Sequence, residues 1–164
     1  MPLPDVLAPG LRVVFCGTAV GERSAVRGHY YAGPGNIFWR LLHESGLTPR
    51  LLSPEEDATL PDYGIGLTDL NKTLTQSHDK GLAYDVPALR AKVERHRPAW
   101  VAFHGLTAAR AVRRGQHLGL ATWELGSARV FVLPSASGAN RSADNTTPDR
   151  LGWWSEFADM VKEN

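Results

Sequence analysis

Cysteine is almost absent from this chain: Cys16 is the only one. That excludes an internal disulfide and any cysteine-rich zinc or iron–sulfur site. Cys16 lies in the apolar run Val13-Val14-Phe15-Cys16, so a small core residue is expected there rather than a nucleophile. Long apolar runs are missing too, and none reaches the roughly 20 residues that span a bilayer. The opening Met1-Pro2-Leu3-Pro4-Asp5 has no basic region ahead of an apolar one, as a secretory signal would. A cytoplasmic protein without a membrane partner is expected. Charge of one sign is also lacking. Eighteen Lys and Arg stand against 17 Asp and Glu, a net charge of +1. Binding of nucleic acid through a broad positive field is thereby excluded, so any such contact rests on a few placed loops. The basic runs Arg90, Lys92, Arg95, His96, Arg97 and Arg110, Arg113, Arg114 read as solvated helix faces. No histidine pair has helical metal spacing, and no metal is expected.

With 164 residues, 43% hydrophobic and 21% charged, the chain fits one soluble domain over 1–164 with a substantial core. Repeats and low-complexity tracts are absent. Residues 12–16, 99–104 and 129–134 read as buried strands, because their apolar runs barely alternate. Residues 63–70 are extended and broken by glycines. Asn36 to Glu44 places Ile37, Phe38, Leu41 and Leu42 on one helical face, with Gly46 as a stop. Phe38 and Trp39 are therefore core candidates. Ser53-Pro54-Glu55-Glu56 starts a short helix, Pro87 to Arg97 forms another, and Thr107 is a cap for a third. Thr147-Pro148-Asp149 caps a last helix with an apolar stripe of Leu151, Trp154, Phe157, Ala158 and Val161. Strands alternating with helices indicate a three-layer α/β/α sandwich with a mostly parallel central sheet. In such sheets ligands bind at the carboxyl ends of the strands. Loops 17–36, 66–72 and 135–141 all fall at or near those ends and are expected to converge.

Two adjacent segments carry the most chemistry. Gly17-Thr18-Ala19-Val20-Gly21 is a glycine-punctuated loop after a strand. It lacks the Lys-Ser/Thr pair of a P-loop and the spacing of a dinucleotide fingerprint, which argues against a nucleotide cofactor. Gly28-His29-Tyr30-Tyr31-Ala32-Gly33-Pro34-Gly35-Asn36-Ile37-Phe38-Trp39 is an aromatic loop feeding a helix. Adjacent aromatics in an extended segment face opposite ways, so one of the two tyrosines is free to stack on a ligand ring.

These two segments, together with Tyr63-Gly64-Ile65-Gly66-Leu67-Thr68 and Leu133-Pro134-Ser135-Ala136-Ser137, resemble the mismatch-specific uracil/thymine-DNA glycosylase family of the uracil-DNA glycosylase superfamily. The resemblance runs collinearly from about residue 6 to the last helix. It implies an α/β/α fold and hydrolysis, without cofactor, of the N-glycosidic bond of a flipped-out uracil in a G:U mismatch or a related damaged base. It implies a base pocket of Thr18, Ala19, Tyr31 and Asn36. It also implies a wedge that enters the duplex, built from Ser137, Gly138, Ala139, Asn140 and Arg141. The expected partner is double-stranded DNA with a mismatched or damaged base, with single-stranded DNA as a second form, bound by a monomer.

The chain departs from the family at one decisive position. The family usually carries Asn two residues after the strand-end glycine, where it positions the attacking water. Here that residue is Ala19, whose methyl group cannot hold water. Asp69, in a loop the resemblance puts against the pocket, is the candidate replacement. A carboxylate can hold a water, accept its proton and oppose a cationic sugar. Asp69 also fits a simple turn cap after Thr68, and Asp62, Asp79 and Asp85 stand as alternatives. His29 is a candidate phosphate contact and His104 a candidate core histidine, while His78 and His96 are expected to be exposed. Lys72 raises the question of a Schiff-base lyase, which nothing else in the sequence supports. A damage-binding module without catalysis is the second reading, motivated by Ala19. An unrelated nucleotide-binding α/β protein is the third.

Overall fold

Side-chain alternation along the strands divides the interior into two cores. A computed structural model of the protein describes residues 3–72 and 83–163, the side chain of Arg141 excepted. Its elements in chain order are β1 (Val13–Gly17), α1 (Glu22–Arg27), α2 (Phe38–Glu44), a 3-10 segment Pro54–Tyr63, and β2 (Ile65–Asp69). Then come α3 (Val86–His96), β3 (Trp100–His104), α4 (Leu106–Val112), β4 (Gly119–Leu125) and β5 (Ala128–Leu133). A second 3-10 segment, Gly138–Asn145, leads to α5 (Arg150–Lys162). The sheet order is β2-β1-β3-β5-β4. All pairings are parallel except β4 with β5.

Val13 and Phe15, Trp100 and Ala102, and Phe131 and Leu133 face one side of the sheet. There they meet Phe38, Leu41 and Leu42 of α2 and Trp154, Phe157 and Val161 of α5. Phe15 is the hub. Its ring stacks on Trp154 at 5.3 Å and meets Phe38 edge-on at 5.4 Å. Cys16, Val101, Phe103, Val130 and Val132 face the other side, against Leu89 and Val93 of α3 and Ala108 and Ala109 of α4. Period-two alternation thus gives each strand two buried faces, which is why the parallel strands read as continuous apolar runs. The layers are helix, sheet, helix, as the sequence indicates. Cys16 is fully buried, and burial raises its thiol pKa, so it is a core residue.

The three anticipated strands are the neighbours β1, β3 and β5. Two details differ from the sequence reading. Thr107 is not a helix cap: Gly105, at φ 106°, turns the chain directly out of β3, and α4 starts at Leu106. Lys92 is not on a solvated face: its ammonium turns inward to Asp5 at 2.8 Å. The N-terminal arm that carries Asp5 adds an antiparallel bridge to the sheet edge, with Val6 and Leu67 exchanging backbone bonds of 2.9 and 2.8 Å.

Gly66 makes that arm fit. A Cβ there would lie 2.7 Å from both the Val6 carbonyl oxygen and Leu11 Cδ1. Gly66→Ala is therefore expected to lower stability by about 1–3 kcal/mol, the usual range for overpacking. Equilibrium urea unfolding checks this, and an unchanged midpoint would show that the arm yields freely.

Candidate active site

Strands β1, β2, β3 and β5 all run the same way, so their carboxyl ends open on one edge. A cavity of about 860 Å³ lies there. The β1–β2 ladder continues past the strands into its wall. Leu70 N–H donates to the Gly17 carbonyl at 2.9 Å, and Asn71 N–H to that of Thr18 at 2.8 Å. This zipper fixes Asp69 directly opposite Gly17. The absence of a side chain at Gly17 makes room for the carboxylate: a Cβ there would sit 2.9 Å from Asp69 Oδ1.

Asp69 is only 5% exposed, yet it lines the cavity. Burial raises its pKa to about 6, with Lys72 and Lys92 restraining the rise and Asp5 adding to it. The Lys72 ammonium is 3.3 Å from Asp69 Oδ2 and 2.8 Å from Asp5 Oδ1. It also donates to the Leu3 carbonyl at 2.9 Å and to Tyr30 Oη at 2.7 Å. Asp5 in turn accepts from Thr68 Oγ1 at 2.7 Å. Against the upward push of burial, Lys72 and Lys92 hold Asp5 below its ordinary pKa. Two carboxylates and two ammonium groups thus form a compact, paired cluster beneath the cavity.

The tyrosines part company at a backbone turn. Tyr31 has φ 52°, so the segment is not extended there. Tyr30 is buried, and its hydroxyl donates to the Pro4 carbonyl at 3.0 Å. Tyr31 lines the cavity, with its ring stacked on Phe38 at 4.0 Å and tilted against His104 at 4.7 Å. Burial pulls the His104 pKa down to about 4, so the ring is neutral at pH 7. His104 Nε2 accepts from Ala136 N–H at 3.1 Å, which leaves the proton on Nδ1. Asn36 also lines the cavity, and its Oδ1 accepts from Phe38 N–H at 2.9 Å, steadying the start of α2.

The far wall is the loop after β5. Arg150 is 3% exposed and grips Asp144 through two bonds of 2.7 and 2.8 Å. The same guanidinium donates to the Ser135 and Ser137 carbonyls at 3.4 and 3.1 Å. Asn140 Nδ2 donates to the Ser135 carbonyl at 2.9 Å. Gly138 packs so closely on Gly35 that a Cβ there would meet the Gly35 carbonyl oxygen at 3.2 Å. Ala139 stands exposed at the tip.

Residues 4–158 match the family described as the Uracil DNA glycosylase superfamily. The chain belongs to the uracil DNA glycosylase superfamily. Its fold is similar to the solution NMR structure of a "putative Uracil DNA glycosylase" from Methanosarcina acetivorans. The TM-score is 0.65 and the identity 25%, covering 98% of this chain and 97% of that one.

Within this superfamily fold, Thr18, Ala19, Tyr31, Asn36 and Asp69 line one cavity, as do Ser137, Gly138, Ala139 and Asn140. Arg141 belongs to the 3-10 segment of the same loop. The alternatives to Asp69 lie elsewhere. Asp62 is exposed outside the cavity, and Asp85 caps α3 by accepting from Ala88 N–H at 3.0 Å. Asp79 and His78 lie outside the described residues. His29 is paired with Asp57 at 3.2 Å. A second groove, of about 1010 Å³, adjoins the cavity at Tyr31 and Asn36 but does not contain Asp69. Among the described residues, no three His, Cys, Asp or Glu side chains come together as a metal site would require.

Sequence reasoning missed three participants: Asp5, Lys92 as its partner, and Arg150. Only for Arg150 was there a local signal, a basic residue at a helix start where cations are unfavourable, which implies a specific partner.

Because Lys72 favours the ionised form of Asp69, its removal should push the carboxyl pKa above about 6. Lys72→Met is expected to raise it by about 1–3 pH units, the range for loss of an adjacent cation. Carboxyl titration followed by NMR measures the midpoint, and no upward movement would break the link.

Proposed function

We propose that the protein is a monofunctional DNA glycosylase that hydrolyses the N-glycosidic bond of uracil opposite guanine and of related damaged bases. The observation that carries this reading is a buried carboxylate, Asp69, on the wall of a strand-end cavity in a chain of this superfamily. The substrate is duplex DNA with a mismatched or damaged base, and single-stranded DNA is a second form. The enzyme acts as a monomer, without metal or cofactor. The base leaves the stack and enters the cavity; flipping costs least at mismatches, which gives selectivity ahead of any pocket contact. The Tyr31 ring forms a stacking wall, and the backbone around Thr18 and Ala19 meets the base edge. Ala139, at the exposed loop tip, fills the space the base leaves, with Asn140 and Arg141 beside it.

Asp69 supplies the chemistry. Above pH 6 it is largely ionised. It takes a proton from the attacking water as the water oxygen bonds to the sugar C1′. The C1′–N1 bond breaks, and its electron pair leaves with the base, which then takes up a proton. The same negative charge opposes the oxocarbenium character of the transition state. Lys72 supports the monofunctional assignment, since its ammonium is already held by Asp5, Asp69, Tyr30 and Leu3 rather than free for a Schiff base.

The test is base release from oligonucleotides carrying uracil opposite each base and in single strands. Turnover is expected to rise with pH through about 6 and then level. Asp69→Asn should bind DNA yet lose about 10²–10⁴-fold in rate, as for a lost general base. Ala19→Asn in that background should restore part of the rate, because it lines the same cavity. Near-parental turnover in Asp69→Asn would reduce Asp69 to a turn residue. The alternative, a damage-binding module, is favoured by Ala19. It prevails if the parent binds mismatched duplex and releases no base from any substrate.

A further inference from the structure

We propose that Arg150 is a positioning residue for opening the duplex: it fixes the loop that carries Ala139 before DNA arrives, so that a small tip can hold a base stack apart. The inference rests on the glycosylase reading and deepens it.

A methyl group is a poor plug. Side chains that prise base steps apart are usually bulky and apolar, and the exposed tip here is Ala139. A bulky wedge works through its own volume. A small one depends on backbone that does not yield when the stack pushes back.

One guanidinium supplies that stiffness. The loop leaves β5 through Ser135 and Ser137 and returns through Asp144 of the second 3-10 segment. Arg150 Nη1 donates to the Ser135 and Ser137 carbonyls of the outgoing limb at 3.4 and 3.1 Å. Its Nε and Nη2 donate to the two carboxylate oxygens of Asp144 on the returning limb, at 2.8 and 2.7 Å. A single side chain thus clamps both limbs, and Ala139 lies between them in sequence. The planar fork of donors suits this task better than an ammonium would. The clamp is also anchored, because Arg150 opens α5, whose Trp154 and Phe157 sit in the core.

The rest of the limb is paired as well. Trp154 Nε1 donates to the Pro134 carbonyl at 3.3 Å, and Ile37 N–H to that of Ala136 at 3.0 Å. With the bonds from Arg150, every carbonyl from Pro134 to Ser137 accepts a hydrogen bond. A segment ordered in this way loses little conformational entropy on meeting DNA. Arg150 itself is 3% exposed, too buried to reach a phosphate, so its effect on DNA passes through the loop.

Arg150→Met keeps an unbranched stem and removes the clamp. Single-turnover uracil release is compared between a G:U duplex and the same duplex with the uracil in an unpaired bubble, where no stack has to be opened. The ratio of duplex rate to bubble rate is expected to fall about 10-fold, the order of re-ordering one freed backbone residue. Asp144→Asn works from the exposed side of the clamp, keeps the size of the side chain and guards against a failure of Arg150→Met to fold. The same ratio is expected to fall there, by less. An unchanged ratio in either folded variant overturns the inference, whether both rates drop together, as a merely structural role requires, or neither moves. A parent that cleaves neither substrate sinks the glycosylase reading and this inference together, whereas an unchanged ratio with an active parent sinks this inference alone.

Discussion

A carboxylate buried between two parallel strands organises the functional edge of this protein. Asp69 sits at the last position of β2, opposite Gly17, where little water reaches it. An unpaired buried charge would be costly enough to neutralise itself. Lys72, three residues on, supplies the opposite charge, and then has to be satisfied in turn. Its remaining partners come from far along the chain: Asp5 and Leu3 from the N-terminal arm, and Tyr30 from the aromatic loop. Lys92 of α3 completes the charge balance. One requirement at one carboxylate thus ties the arm, the aromatic loop, a strand end and a helix to the same place.

The same constraint explains why two adjacent tyrosines behave so differently. Tyr30 serves the charge cluster and Tyr31 the cavity. The left-handed turn at Tyr31 is the backbone's way of sending neighbouring side chains to separate tasks. The opposite wall achieves rigidity by another route. Arg150 reaches from α5 into the β5 loop and donates to the Ser135 carbonyl and to that of Ser137, which also accepts from Asn140 N–H. A loop held in this way keeps its tip, Ala139, at a fixed place without needing a strand beneath it.

Much of this was legible in the sequence, for identifiable reasons. Buried parallel strands write themselves as apolar runs, so β1, β3 and β5 stand out, and the stripe of α5 follows from helical spacing. The strand-end loops could be expected to converge once a parallel sheet was inferred, and Thr18, Tyr31, Asn36 and Asp69 do share a cavity. β4 left little trace. It is an edge strand whose residues alternate between buried and exposed, and it is antiparallel to β5. α1 is six polar-rich residues without apolar periodicity. The charge cluster was illegible for a deeper reason. Thr68 finds Asp5 across 63 positions and Lys92 across 24, and no local pattern marks such pairs. A lysine turned inward by a distant aspartate looks, in sequence, like any lysine on a solvated face.

On the proposed mechanism, the cluster is the structural consequence of Ala19. An asparagine that positions water is neutral, and it can be buried without a counter-ion once its amide is hydrogen-bonded. An aspartate that takes over the task gains a proton acceptor and a negative charge facing the developing sugar cation. It also brings a charge that burial alone would suppress. At a pKa of about 6, Asp69 is poised between these demands: basic enough to take a proton, yet ionised at neutral pH. Without Lys72 and Lys92, burial would carry it higher and leave it protonated; with a fully exposed carboxylate, its basicity would be lost. The arm, the two lysines and Asp5 therefore belong to the chemistry as much as to the fold, because they set the protonation state on which a carboxylate in this position depends.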